Sequence, residues 1–222
     1  MKRIFIDRRD IMKDLCLILS GGEYCEVPAE YRDADMTIAC DKGWEYAGML
    51  RLIPDLIVGD FDSSPVPENG VPIEILPTRK DDTDTMYAVR VALDRGYRNI
   101  VISCALGGRL DHMLANIQSA AYVAAQGGTC RIVGEDTEVT VFSASEQIFP
   151  KHTGWSLSLF AVSDACTGVT VQGTKFDCRE ITLTNTFPLG VSNVWEAEEA
   201  RVSVKSGILM AVRSRLRKGE HI

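Results

Sequence analysis

The rhythm of apolar residues changes once along this 222-residue chain, near residue 135, and that change limits the folds open to it. Before it, short apolar runs such as Leu56-Ile57-Val58 alternate with stretches of helical period, the pattern of a parallel α/β sheet. Strands are predicted at 15–19, 36–40, 56–58, 73–76, 100–104 and 130–133. A helix is predicted at 83–95, with Met86, Val89 and Leu93 on one face, Asp82 as its N-cap and Gly96 closing it. A second is predicted at 111–125, burying Met113, Leu114, Ile117, Ala121 and Val123 and ending at Gly127-Gly128. After residue 135 short alternating segments follow one another at 139–142, 156–161, 168–171, 180–183, 200–204 and 208–212, separated by turn residues. The expected fold class is α/β: a three-layer α/β/α domain with a mainly parallel sheet over residues 1–134, then a smaller antiparallel β-sandwich domain over 135–222.

Composition narrows the partners. Hydrophobic residues make up 45% and charged residues 25%, ordinary for a soluble globular chain, and the net charge of −7 argues against nucleic acid or an anionic membrane as partner. The seven cysteines are odd in number and form no Cys-x-x-Cys pair, so they read as reduced, buried thiols rather than a disulfide framework or zinc site. The first 14 residues are charged and lack a signal peptide's apolar stretch, and a cytoplasmic protein is expected.

Three acidic loops follow predicted strands: Gly59-Asp60-Phe61-Asp62-Ser63, Lys80-Asp81-Asp82-Thr83-Asp84 and Gly107-Gly108-Arg109-Leu110-Asp111-His112. Carboxylates gathered at one sheet edge repel one another and are costly to desolvate, so a cation is expected among them, with magnesium the best fit to an all-oxygen donor set. Lys80, Arg109 and the glycine amides are suited to phosphate. Asp41-Lys42-Gly43 and Ser20-Gly21-Gly22 add two more loops to the same edge.

Plainer readings exist for each. Asp60 and Asp62 fit a solvated turn, Asp81, Asp82 and Asp84 fit an acidic helix start that suits the dipole, and Asp111 fits a helix cap. Gly190-Val191-Ser192-Asn193 reads by default as a turn, with a small-molecule pocket as its functional alternative. The combination of loops, more than any one of them, points to a nucleotide-sized crevice.

Taken together, Ala39-Cys40-Asp41-Lys42-Gly43, the stretch Pro54 to Ser63, Lys80 to Asp84, and Gly107 to His112 with Asn116 resemble the thiamine pyrophosphokinase family. Gly154 to Leu159 and Gly190-Val191-Ser192-Asn193 extend that resemblance into the β region. The resemblance implies transfer of a pyrophosphoryl group from ATP to the hydroxyl of thiamine, giving thiamine diphosphate and AMP. It implies Mg²⁺, and a homodimer with the thiamine site at the subunit interface. It makes Asp60, Asp62, Asp81, Asp84 and Asp111 the catalytic acids, with Asp60, Asp62 and Asp84 on the metal. Asp41, Gly43, Lys80, Thr83, Gly107, Gly108, Arg109, His112 and Asn116 become nucleotide contacts, and Ser192 and Asn193 contacts for the aminopyrimidine. Two departures stand out: Lys42 where the family often has glycine, and Phe176 where it often has tyrosine.

Rival readings are an aspartyl-nucleophile phosphohydrolase using Asp60-Phe61-Asp62, a kinase for another alcohol such as a pterin, and a thiamine or nucleotide sensor without turnover.

Overall fold

The computed structural model describes residues 14–61, 66–68, 70–77, 81–217 and 219–220, and its packing forms two compact units, Met1–Ser119 and Ala120–Ile222. Among the described residues no helix is long and apolar enough to cross a membrane.

In the first unit, strands β1 (Leu15–Leu19), β2 (Met36–Cys40), β3 (Leu56–Gly59), β4 (Ile73–Ile75) and β5 (Asn99–Ser103) lie in the order β5-β1-β2-β3-β4. Every one of these pairings is parallel. All residues of β1, β2 and β3 are buried, which explains their unbroken apolar runs: a parallel strand covered on both faces has no polar side to alternate with. Helix α1 (Gly43–Leu50) packs on β1 and β2, and α2 (Asp84–Asp94) packs on β1, β2 and β3. Helix α3 (Leu110–Ala125) follows β5.

Two details differ from the sequence reading. Thr83, not Asp82, caps α2: its hydroxyl accepts the Met86 N–H at 3.1 Å, while Asp82 pairs with Arg90 at 2.7 Å. Leu114, expected in the core, is 53% exposed. The buried face of α3 instead runs through Asn116, Ser119, Ala120, Val123 and Ala124, and Asn116 sets it by donating to the Ala105 carbonyl at 2.8 Å. Gly96 ends α2 as expected, at φ +94°.

The second unit contains β6 (Thr129–Val133), β7 (Thr137–Ser143), β8 (Glu146–Pro150), β9 (Trp155–Ala161), β10 (Ala165–Gln172), β11 (Cys178–Thr184), β12 (Gly190–Asn193), β13 (Glu199–Ser203) and β14 (Ile208–Arg215). Antiparallel pairing orders them as β12-β9-β14-β7-β6 and as a separate sheet β11-β10-β13-β8. Alternate residues of the inner strands, among them Leu157, Val169, Val202 and Leu209, share one core. Strands β8 and β12 escaped the sequence reading because Glu146-Gln147-Ile148-Phe149-Pro150 and Gly190-Val191-Ser192-Asn193 carry little apolar alternation. Strand β12 has no fully buried residue.

Candidate functional site

Because the first sheet is parallel, the segments that follow β1, β2, β3 and β5 all leave from one edge. The chain runs from β1 to β2 on one side and returns to β5 on the other, so the edge has a switch point between β1 and β5, where open α/β folds bind ligands. Three non-glycine residues there have left-handed backbone: Asp41 (φ +44°), Phe61 (φ +50°) and Cys104 (φ +56°). Such conformations cost on the order of 1 kcal/mol each and gather where a site dictates them.

Close packing joins these loops. A Cβ on Gly59 would meet the Asp41 carboxylate at 2.4 Å, so the absence of a side chain at 59 lets Asp41 lie over the end of β3, beside Asp60. The first turn of α2 is fastened to the same edge: the Ser20 and Thr85 hydroxyls share a hydrogen bond of 2.8 Å, and the Cys40 thiol donates to the Asp84 carbonyl at 3.6 Å. Asp41, Asp60 and Asp84 are therefore brought to one edge, each half-buried, with Asp81 exposed nearby in sequence. Gly43 is buried as the first residue of α1, and Thr83 spends its hydroxyl on its helix cap. Asp62 and Lys80 lie outside the described residues.

On the β5 side, Gly107 (φ +83°) and Gly108 (φ +69°) turn the chain into α3. Arg109 and Asp111 hold each other in a two-point ion pair, Nη2 to Oδ2 at 2.6 Å and Nε to Oδ1 at 3.1 Å, both side chains largely exposed. The Arg109 guanidinium holds the Asp111 carboxyl below the usual carboxylate range. His112 is exposed beside them and gives its backbone N–H to Asp111 at 3.0 Å. Asn116 is buried and anchors the loop through Ala105. Glu23, for which the sequence offered no signal beyond its place after Ser20-Gly21-Gly22, packs its carboxylate against Gly107.

The second unit carries the other candidates. A cavity of about 430 Å³ is walled by Leu157, Leu159, Val169, Val171, Ile181 and Leu183, and Phe176, Asp177 and Asn193 also line it. Ser192 is exposed in left-handed backbone (φ +60°) and gives its N–H to the Ser158 hydroxyl at 3.0 Å. Asn193 bonds across to the 173–177 turn through Thr174 and Phe176. The sequence reading did not single out Asp177 or Ser158.

Among the described residues no three His, Cys, Asp or Glu side chains form a closed metal cage. The half-buried carboxylates at the sheet edge fit a more open arrangement, in which a hard divalent cation takes one or two carboxylates and completes its shell with water and phosphate oxygens.

The first unit is an α/β fold whose carboxyl sheet edge is acidic and glycine-bearing, and the second is a β-sandwich with an apolar cavity. A family model described as thiamin pyrophosphokinase, catalytic domain, matches residues 27–132, and one described as thiamin pyrophosphokinase, vitamin B1 binding domain, matches 145–209. The chain belongs to the thiamine pyrophosphokinase family. It is 27% identical over 207 residues to the thiamine pyrophosphokinase of Bacillus subtilis, a match covering 89% of this chain and 97% of that one. The crystal structure of a Bacillus subtilis thiamine pyrophosphokinase superposes with a TM-score of 0.81 at 25% identity, over 90% of this chain and 99% of that one. The fold extends to a thiamin pyrophosphokinase from Candida albicans, with a TM-score of 0.72 at 17% identity over 90% of this chain and 88% of that one.

Proposed function

We propose that this protein is a thiamine diphosphokinase, moving a pyrophosphoryl group from ATP to the hydroxyl of thiamine and releasing AMP. The observation that carries the reading is the coincidence of motif and match. The acidic loops and the Gly107–Asp111 segment fall inside the residues matched by the catalytic model, and Gly190 to Asn193 inside those matched by the vitamin B1 binding model. The same limits support a functional division near residue 134, with 1–134 serving ATP and metal and 135–222 serving thiamine. Homodimers, with thiamine at the subunit interface, and a cytoplasmic setting complete the reading. Free cysteines throughout the described residues agree with a reducing compartment.

Displacement at the β-phosphorus leaves little covalent work for the protein, which must position the reactants and meet the charge that spreads over the phosphate oxygens. Magnesium, held by Asp60, Asp62 and Asp84, would supply charge neutralisation to the phosphates when bound. Gly107 and Gly108 present backbone, and Arg109 and Lys80 charge, to the phosphate chain. Asp41, Gly43, Thr83, His112 and Asn116 shape the nucleotide side, Thr83 and Asn116 by fixing backbone. Asp81 or Asp111 takes the proton of the thiamine hydroxyl. The pairing with Arg109 lowers the proton affinity of Asp111. Arg109 commits Nε and Nη2 to Asp111, which leaves Nη1 for a phosphate oxygen with the pair intact.

The test is the identity of the nucleotide product. With ATP, Mg²⁺ and thiamine, AMP and thiamine diphosphate are expected in equal amounts. ADP with thiamine monophosphate, or thiamine-independent phosphate release with label trapped on Asp60, would replace the reading with a simple kinase or an aspartyl phosphohydrolase.

A further inference from the structure

Two thiols meet at the switch point of the parallel sheet. The Cys25 Sγ lies 3.9 Å from the Cys104 Sγ, although the residues are 79 apart in the chain. The Ser103 hydroxyl stands 3.3 Å from the Cys25 Sγ, and the Cys104 thiol donates to the Cys25 carbonyl at 3.7 Å. With Tyr46 the pair forms a small buried cluster of its own. Cys104 holds this place on left-handed backbone (φ +56°), which costs a residue with a side chain on the order of 1 kcal/mol. A disulfide has an S–S distance of about 2.05 Å, so the two sulfurs have to close by roughly 2 Å to bond. Side-chain rotation alone has little room in a cluster this buried, and part of the movement passes to the backbone.

That backbone has little slack. Ser20 and Gly22 give their N–H groups to the carbonyls of Ser103 and Cys104, each at 2.9 Å, and Tyr46 gives its hydroxyl to the Gly22 carbonyl at 2.8 Å. A Cβ on Gly22 would lie 2.6 Å from the Cys104 carbonyl oxygen, so the segments after β1 and after β5 touch backbone to backbone. Both lead into the candidate phosphate site. Glu23, on the first segment, packs its carboxylate against Gly107 on the second. The Ala105 carbonyl, next to Cys104, holds Asn116 of α3 at 2.8 Å. A displacement at either sulfur therefore reaches Glu23, Gly107 and the start of α3.

The two sulfurs differ in access. Cys25 is 9% exposed and follows the exposed segment 21–24, whereas Cys104 has no exposed surface. The hydrogen bond with Cys25 and burial push the Cys104 thiol up, so it stays protonated and Cys25 is the sulfur that meets an oxidant. We propose that Cys25 and Cys104 are a redox pair: a hydroperoxide closes them into a disulfide that displaces the 20–25 and 104–108 segments and weakens phosphate binding at the carboxyl edge. The Cys25 sulfur attacks the terminal peroxide oxygen, the O–O bond breaks, and the leaving oxygen departs as water or an alcohol carrying the Cys25 proton. The Cys104 sulfur then attacks the sulfur of the Cys25 sulfenic acid, the S–S bond forms, and hydroxide leaves as water with the Cys104 proton. The thiol pair loses two electrons and the hydroperoxide gains them. That the phosphate ligand is ATP rests on the proposed function.

The test compares the full chain, reduced and after treatment with hydrogen peroxide, by non-reducing peptide mass mapping, calorimetric ATP binding and amide hydrogen exchange. A Cys25–Cys104 link lighter by two hydrogens is expected, with the Kd for ATP raised roughly tenfold or more, altered exchange at 20–25 and 104–108, and full reversal by dithiothreitol. Cys25→Ser is expected to bind ATP within about twofold of wild type before treatment and to keep that affinity after it. Should Cys25→Ser fail to fold, Cys104→Ala carries the same comparison. Peroxide that leaves the two thiols unlinked in the folded chain would overturn the inference, as would a link that leaves the Kd unchanged, or an equal loss of affinity in Cys25→Ser. A reduced chain that binds no ATP would sink the kinase reading instead. The pair's effect on the edge is then decided by exchange at 20–25 and 104–108: a change on linking upholds it, and none overturns it.

Discussion

At the amino edge of the parallel sheet, Asp35 and Asp55 serve the backbone. Each exchanges a pair of hydrogen bonds with a strand: Asp35 with Leu15 (carboxylate to N–H, 3.0 Å; N–H to carbonyl, 3.0 Å) and Asp55 with Thr37 (2.8 Å and 2.8 Å). At the carboxyl edge, Asp41, Asp60 and Asp84 sit on or beside left-handed turns and tightly packed loops, with Arg109 and Asp111 paired to each other in solvent. One residue type thus does two jobs on one sheet. Aspartate at the strand starts stabilises the fold by completing the hydrogen bonding of the sheet. Aspartate at the strand ends gathers negative charge that a cation and a phosphate chain would organise.

Substitution separates the two jobs. The largest effect is expected at the carboxyl edge: Asp60→Asn or Asp84→Asn should lower kcat by on the order of a hundredfold or more while moving stability by no more than about 1 kcal/mol. Asp35→Ala should do the reverse, costing about 1–2 kcal/mol in urea denaturation and leaving kcat within about twofold. Equal losses of turnover at Asp35 and Asp60 would erase the distinction between the edges.

An intermediate effect is expected from Arg109→Ala, which removes a phosphate partner and frees Asp111. The KM for ATP should rise about tenfold. The Asp111 carboxyl, followed by NMR during a pH titration, should return upward toward the ordinary range near 4. An unchanged titration would show that the pair in the structure is not what holds that carboxyl down.

The smallest effect belongs to Asp177, whose carboxylate accepts hydrogen bonds from Thr174 and Gly173. A carboxyl held below its unfolded value contributes stability that is fully present above about pH 4 and is lost as pH falls through the lower folded value. Asp177→Asn should therefore lower Tm slightly near pH 7 and flatten its fall below about pH 4, so that the two proteins converge at acid pH. A steeper acid limb in the variant would contradict the role given to the Thr174 and Gly173 hydrogen bonds.

Much of this was legible in the chain for a physical reason. Strands β1 and β2 were placed to the residue and β3 within one, because strands buried on both faces appear as unbroken apolar runs. The acidic edge followed from Asp and Gly standing directly after those runs. Strands β8 and β12 left no comparable trace, since their residues carry little apolar alternation. The state of individual side chains was also hidden. The hydrogen bonding of Asn193 depends on Thr174 and Phe176, nearly twenty residues earlier, and the role of Asn116 depends on a carbonyl eleven residues away. Spacing marks such residues as candidates and does not tell a contact from an anchor. The pairing of Arg109 with Asp111 spans two residues and lay closer to hand, yet the choice between phosphate and carboxylate as the arginine's partner needed the geometry.

The most direct measurement is the fate of ATP labelled in its β-phosphate, incubated with Mg²⁺ and the full-length protein, with and without thiamine. The account expects the label to appear in thiamine diphosphate, in step with AMP, and only when thiamine is present. Label retained in ADP, or released as inorganic phosphate or pyrophosphate without thiamine, would contradict it.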